Sequence, residues 1–250
     1  MVKSSAMKIL HPLDGIDLAF AYERLRSANI EILGHARHYI NVVQNTEVAI
    51  PDYKEQKAVG KALNDLDSLI ALHQCKRRQY TTSKTFIWEQ RKFSVLYKPV
   101  SEKNDLTFGR GEIISVANMH YNPAAYVTND SYLLTYNVMR LGDIAFEGNR
   151  NKRYAHGRFV ENTIGDGIVS HVFRVFRPRV SYDLNYWKYA INNEGIMKDV
   201  LSRSTKASTM MHELVSSDFL DEETTVPCLG EQRLVGALFS SLDSLITLHQ

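Results

Sequence analysis

Between Gly148 and Tyr154 the chain reads Gly-Asn-Arg-Asn-Lys-Arg-Tyr, two amides and three cations in one short polar stretch. Arg can grip guanine, and Asn adenine, through two parallel hydrogen bonds to the base edge. Asn149, Arg150, Asn151, Lys152 and Arg153 are therefore candidates for reading nucleic-acid bases, with Arg158 just beyond them. A second stretch, Ser202-Arg203-Ser204-Thr205-Lys206-Ala207-Ser208, offers hydroxyls, two cations and amides near a helix boundary, a mixture suited to phosphate oxygens. Arg203, Ser204, Thr205 and Lys206 are its candidates, and Arg110 adds a further cation upstream. A polar hairpin loop would account equally well for the first stretch, and helix capping by Ser and Thr for the second.

Charge along the chain favours the nucleic-acid side of these alternatives. The formal net charge is only +2, but nine basic residues face three acidic ones between positions 76 and 110, including Lys76, Arg77, Arg78 and Lys84. Between 140 and 158 five basic residues face Asp143 and Glu147, whereas from 207 to 250 Arg233 stands alone against seven acidic residues. One part of the chain suits a polyanion and another repels it.

Catalysis finds no constellation. Asn122-Pro123-Ala124-Ala125 lacks the second Pro and the aromatic of an amino-methyltransferase motif, Gly109-Arg110-Gly111 lacks the third Gly of a dinucleotide loop, and no phosphate-binding Gly-x-x-x-x-Gly-Lys loop occurs. His35, His38, His73 and His249 sit in amphipathic or repeated contexts where packing or helix-end roles are expected rather than metal binding. Cys75 and Cys228 suggest neither a metal site nor a disulfide framework. No apolar run approaches the roughly 20 residues that span a bilayer, and the N-terminus lacks the apolar core of a signal peptide, so a cytoplasmic location is expected.

The elements that must position the polar stretches are marked by a repeat. Pro51 to Gln74 recurs as Pro227 to Gln250, offset by 176 positions without a gap, and 13 of the 24 residues are identical. Val59, Leu63, Leu66 and Ile70 recur at steps of four, three and four, as do Val235, Phe239, Leu242 and Ile246. That spacing predicts one helix per copy with a heptad seam, and the natural partner of each seam is the other copy. Between the copies, Gly111 to Ala117, Tyr132 to Met139 and Ile144 to Phe146 read as short strands, and Ile168 to Phe176 as a longer central one entered through a Gly165-Asp166-Gly167 turn. Asp183 reads as the cap of a helix that is released near Asn193-Glu194-Gly195.

The repeats resemble the conserved regions of the specificity subunit of type I restriction-modification systems, in which Pro-x-x-x-Glu-Gln opens a helix containing Leu-Asp-x-x-Ile-x-Leu-His-Gln. Trp88-Glu89-Gln90-Arg91-Lys92 looks like the start of a target recognition domain, and Gly142 to Gly148 with Gly157-Arg158-Phe159-Val160 look like segments of one recognition-domain subtype. Asp17-Leu18-Ala19-Phe20 parallels Asp183-Leu184-Asn185-Tyr186, the start of such a domain's closing helix. The resemblance implies an α/β (α+β) recognition domain with a small mixed sheet, plus two long helices packing as an antiparallel coiled coil through the seam residues named above. It divides the chain into the end of a first recognition domain (1–50), a first helical repeat (51–79), a complete recognition domain (80–226) and a clipped second repeat (227–250).

By the same resemblance the chain is a non-catalytic subunit that binds double-stranded DNA and directs methylation subunits and a motor-nuclease subunit. S-adenosylmethionine, ATP and Mg would be bound on those partners and no cofactor on this chain. With one full recognition domain, two copies could pair to read a symmetric site. The acidic helix faces, Glu231 and Asp243 among them, are expected to take part in docking. The alternative reading is a scaffold that gathers methylation subunits without recognising DNA itself.

Overall fold

The computed structural model describes residues 10–28, 42–43, 45–79, 88–208 and 211–248. Lys84, His35, His38 and His249, and the side chains of His73, Cys75, Lys76, Arg77 and Arg78, lie outside the described residues. The chain divides into two compact units, residues 1–79 with 237–250, and residues 80–236.

In the first unit, helix α1 (Leu18–Ser27) is capped by Asp17, whose Oδ1 accepts from the Phe20 N–H at 3.0 Å. Helix α2 (Tyr53–Gln79) starts where Asp52 accepts from the N–H groups of Lys54 and Glu55 at 2.8 and 3.0 Å. A Gly inside a helix costs about 1 kcal/mol relative to Ala, yet Gly60 stands in α2 because α1 presses against it. A Cβ there would lie 2.6 Å from Asp17 Oδ1 and 3.0 Å from the Phe20 nitrogen.

In the second unit, strand β1 (Glu89–Lys92), the single turn α3 (Phe93–Leu96) and β2 (Tyr97–Pro99) open the domain. Strands β3 (Ile114–Ser115), β4 (His120–Tyr121), β5 (Asn137–Met139), β6 (Ile144–Glu147), β7 (Arg158–Glu161), β8 (Gly167–Val169) and β9 (Arg174–Pro178) follow. Helices α4 (Leu184–Ala190) and α5 (Glu194–Ser204), the hairpin β10 (Thr205–Ala207) and β11 (His212–Leu214), helix α6 (Ser216–Asp221) and β12 (Glu223–Val226) lead to the last helix, α7 (Leu229–Leu248).

A four-stranded sheet of order β2-β9-β6-β7 forms the centre. Alternation along its strands sends Ile144, Phe146 and Phe176 to the side covered by α4, α5 and α6, and Ala145 and Val175 to the side covered by β3, β5 and β8. The core on the helical side is built around Phe219, whose ring lies 4.5 Å from those of Phe93 and Phe159 and 5.1 Å from Phe176. At the domain's base β1 and β12 pair antiparallel, Glu89 opposite Val226, so the chain enters and leaves side by side just before the second repeat.

Several sequence expectations change. The strand pairs are all antiparallel among the described strands, not mixed. The run Ile168 to Phe176 is two strands, because Ser170 and His171 open a turn closed by the Phe173 N–H on the Ser170 carbonyl at 3.1 Å. Residues 110–112 and 130–135 form 3-10 turns where strands were expected, the second capped by Asn129. The Asp183 helix stops at Ala190, and Asn193 caps a separate helix.

The coiled-coil seam is only partly covered. Val59, Leu63 and Val235 are half-buried, but Leu66, Ile70, Phe239, Leu242 and Ile246 are 40 to 57% exposed. A polar contact joins the repeats inside the first unit: Lys61 Nζ donates to Ser241 Oγ at 2.7 Å, and that hydroxyl donates to Asp65 Oδ2 at 3.1 Å. Asp65 and Ser241 are the same position of the repeat, 176 residues apart.

Candidate nucleic-acid interface

Strands β6 and β7 are joined by residues 148–157, and this loop carries the first candidate cluster. Its base is fixed by Glu147 opposite Arg158, with Arg158 Nε donating to Glu147 Oε2 at 2.7 Å and its second amine to the Ala117 carbonyl at 2.6 Å. Inside the loop, Asn151 Oδ1 accepts from the N–H groups of Arg153 and Tyr154 at 2.8 and 2.9 Å, an Asx turn that spends its amide oxygen. Tyr154 is buried, and the guanidinium groups of Arg153 and Arg158 both lie over its ring, 5.3 and 5.2 Å from its centroid. Asn149 reaches back to Glu147 at 3.4 Å. Arg150, Lys152 and Arg153 are exposed.

The β10–β11 hairpin, which carries the second cluster, is fastened to this loop. The His212 N–H donates to the Gly148 carbonyl at 2.8 Å, and a Cβ on Gly148 would fall 2.1 Å from the His212 carbonyl oxygen. Only Gly allows that approach. The rings of His156 and His212 meet edge to face at 5.2 Å. Burial, then the nearby His156 and Arg150 charges, holds the His212 imidazole below its ordinary range, so it is neutral at pH 7. Arg150, Lys152, Arg153 and Lys206 thus belong to two loops locked together, with Glu194 Oε1 accepting from the Ala155 N–H at 3.3 Å and the exposed Glu213 as the nearby acids.

The remaining candidates are placed otherwise. Ser204 is fully buried and its hydroxyl donates to the Val200 carbonyl at 2.7 Å, so it cannot touch a ligand. The Thr205 hydroxyl donates to the Leu201 carbonyl at 2.6 Å and lies 3.2 Å from His212 Nδ1, which leaves it a hairpin fastener. Arg203 makes a two-pronged ion pair with Glu222 at 2.8 and 2.6 Å. Arg110 pairs with Asp130 at 2.8 Å and caps the Val127 carbonyl, in a separate small core around Ile113 and Leu133. Arg140 is absorbed in a network with Glu102, Asp166, Arg177 and Asp143. Glu231 is buried, with Trp88 Nε1 donating to it at 3.2 Å, and is no docking residue.

Sequence reasoning missed Gly148, His156 and His212, which register one loop on the other. Their only signal is a Gly at each end of the loop, Gly157 having φ +81°. Among the described residues no cluster of His, Cys, Asp and Glu could hold a metal ion, and no helix is long and apolar enough to cross a membrane.

No protein-family model and no curated protein matches the chain. Among solved structures it is similar to an HsdS subunit from Thermoanaerobacter tengcongensis, at 15% identity and a TM-score of 0.42 over 92% of this chain and 61% of that one. It is also similar, at 12% identity and a TM-score of 0.43 over 92% and 61%, to a chain solved to describe complex assembly and conformational transition of the type I R-M system. The chain spans about three fifths of the length of each of these structures.

Proposed function

We propose that this chain is a sequence-specific DNA-recognition subunit of a type I restriction-modification complex. The single observation that carries the reading is the doubled helix, each copy opening with Pro-x-x-x-Glu-Gln and each receiving an Asp-capped helix at the same place. The recognition domain, about residues 80–226, reads duplex DNA with the face built from the 148–157 loop and the β10–β11 hairpin. The two repeats pack antiparallel and present that domain to cytoplasmic methylation and motor-nuclease subunits, which hold S-adenosylmethionine, ATP and Mg. This chain supplies no catalytic group.

Replacing Arg150, Lys152, Arg153 and Lys206 together by Ala is expected to weaken duplex binding roughly 100-fold at ~0.1 M salt and to make the slope of log affinity against log salt shallower by about 3. Ser204→Ala is expected to leave both unchanged. Equal binding by the fourfold variant would remove this face from the reading. Methylome sequencing of cells carrying the chain with its methylation partner reports the target sequence, and an absence of any methylated motif would sink the assignment.

The exposed seam of Leu66, Ile70, Phe239, Leu242 and Ile246 favours a second reading, a scaffold that gathers methylation subunits or a second copy without itself selecting a sequence. Binding that is weak and equal for all duplexes supports the scaffold; a strong preference for one sequence supports recognition. Light scattering distinguishes the occupant, since a chain that stays monomeric with and without DNA excludes pairing of two copies.

A further inference from the structure

Each repeat carries the same joint. At the first, the Asp17 N–H donates to Gln56 Oε1 at 3.0 Å, while Gln56 Nε2 donates to the Pro51 carbonyl at 2.9 Å. At the second, the Asp183 N–H donates to Gln232 Oε1 at 3.1 Å, while Gln232 Nε2 donates to the Pro227 carbonyl at 3.0 Å. Both glutamines are buried, 3 and 4% exposed, and one turn later Gly60 and Gly236 admit the arriving helix. A Cβ on Gly236 would stand 2.5 Å from Asp183 Oδ1 and 2.7 Å from the Tyr186 nitrogen, nearly the distances found at Gly60.

The chemistry explains the spacing of the motif. The carboxamide carries a donor nitrogen and an acceptor oxygen on one carbon without a charge. Here its donor fastens the carbonyl that precedes its own helix, and its acceptor fastens the N–H of the residue that caps the neighbouring one. The Gly removes the side chain that would hold the two helices apart, so the capping Asp rests on the helix backbone. Two polar pins and one missing Cβ leave the arriving helix neither room to slide nor room to tilt.

We infer that Gln232 and Gly236 are positioning residues, which hold the closing helix α4 at a fixed angle on the first turns of α7 and so set the direction in which the recognition domain faces its DNA. Gln56 and Gly60 do the same for α1 on α2. The inference rests on the proposed recognition role for its consequence, but its geometry can be tested without DNA. A methyl wedge of ~1 Å at Gly236, across the 8–10 Å that separates packed helices and acting over a ~20 Å arm, displaces the far side of the domain by about 2 Å.

The test uses the full-length chain with Cys75 and Cys228 replaced by Ser, and spin labels within the second unit on Tyr126→Cys, which is 90% exposed, and on Arg233→Cys, exposed on the first turns of α7. Gly236→Ala is expected to shift the mean label separation by about 2 Å. Gln232→Met keeps the volume and removes both pins, and is expected to give a distance distribution about twice as wide. Duplexes selected from a randomised library are expected to keep the same bases for both variants, bound several-fold more weakly than by the unchanged chain. Distances as sharp and as centred in both variants as in the unchanged chain would overturn the inference. So would unchanged affinity for the selected duplex despite altered distances, or a Gln232→Met chain that does not fold, which would make the joint an element of stability alone. If the unchanged chain selects no sequence at all, the recognition reading fails and the distance result still decides the joint.

Discussion

Glu161→Gln is expected to raise the unfolding free energy by about 3 kcal/mol at pH 7 and by almost nothing at pH 4. Glu161 ends β7 beneath α4, is 3% exposed, and neither carboxylate oxygen has a hydrogen-bond partner among the described residues. Burial is the main cause that pushes its pKa up to about 9, the charge of Asp183 adds to the rise, and Lys188 only partly opposes it. Among the described residues the buried hydroxyl of Tyr97 also lacks a partner, and burial with the Glu161 charge raises its pKa well above the ordinary phenol value. Glu161 is therefore a neutral acid in the folded protein at pH 7.

In the unfolded chain the same group ionises near 4.5, so folding takes up a proton throughout the interval from 4.5 to about 9. Stability is insensitive to this group below pH 4.5 and falls as pH rises through that interval, by about 1.4 kcal/mol per pH unit. A Gln cannot ionise and removes the dependence. Urea unfolding of both proteins from pH 4 to pH 9 checks it; parallel stability curves would show that Glu161 is charged in the folded state and the argument wrong.

This acid also marks what the sequence can and cannot convey. Its neighbours in the chain, Arg158-Phe159-Val160-Glu161-Asn162, read as an ordinary alternating strand, and nothing local says that α4, more than 20 residues on, will close over the carboxyl. The helical repeats were legible because thirteen identities leave a periodic signal that needs no tertiary context. Asp183 was legible as a cap because capping is read by residues three apart, and Asp17, set parallel to it through the resemblance, caps α1 in the same way.

The candidate face was only partly legible. Arg150, Lys152, Arg153 and Lys206 lie on adjoining loops, a juxtaposition that charge and position alone do not imply, whereas Ser204 and Thr205 turn inward. A hydroxyl near a helix end bonds a carbonyl four residues back as readily as it bonds a phosphate. Which of these happens depends on whether the hairpin folds toward the loop, and that is settled by Gly148 meeting the His212 backbone. The strand Ile168 to Phe176 failed for a related reason: an unbroken apolar run conceals a turn when both halves are buried, one against β5 and the other against β6.

Phe219→Ala is expected to cost 3–5 kcal/mol, a large fraction of the roughly 5–15 kcal/mol that holds a domain of this size together. Phe219 is the sole buried residue of the six-residue helix α6 and is wholly inaccessible. Its ring meets Phe93 from the domain's opening turn, Phe159 from β7 and Phe176 from β9, all fully or nearly fully buried, so three separate elements lose their shared contact at once. None of them can close the gap alone, because Phe159 is also held against Phe146 at 5.5 Å and Phe176 against Phe159 at 5.9 Å. The residual cavity sets the size of the loss. Phe219→Leu, which refills most of that volume, is expected to cost under about 1.5 kcal/mol. The damage should be greatest where Phe93 and Phe219 flank the β1–β12 clasp, at the base of the domain, and least at the 148–157 loop, whose Tyr154 is held by arginines rather than by this cluster. Thermal and urea unfolding with hydrogen exchange resolved by segment measure both; a loss below about 1 kcal/mol, or protection lost first in the 148–157 loop, would show that α6 is not the keystone of this core.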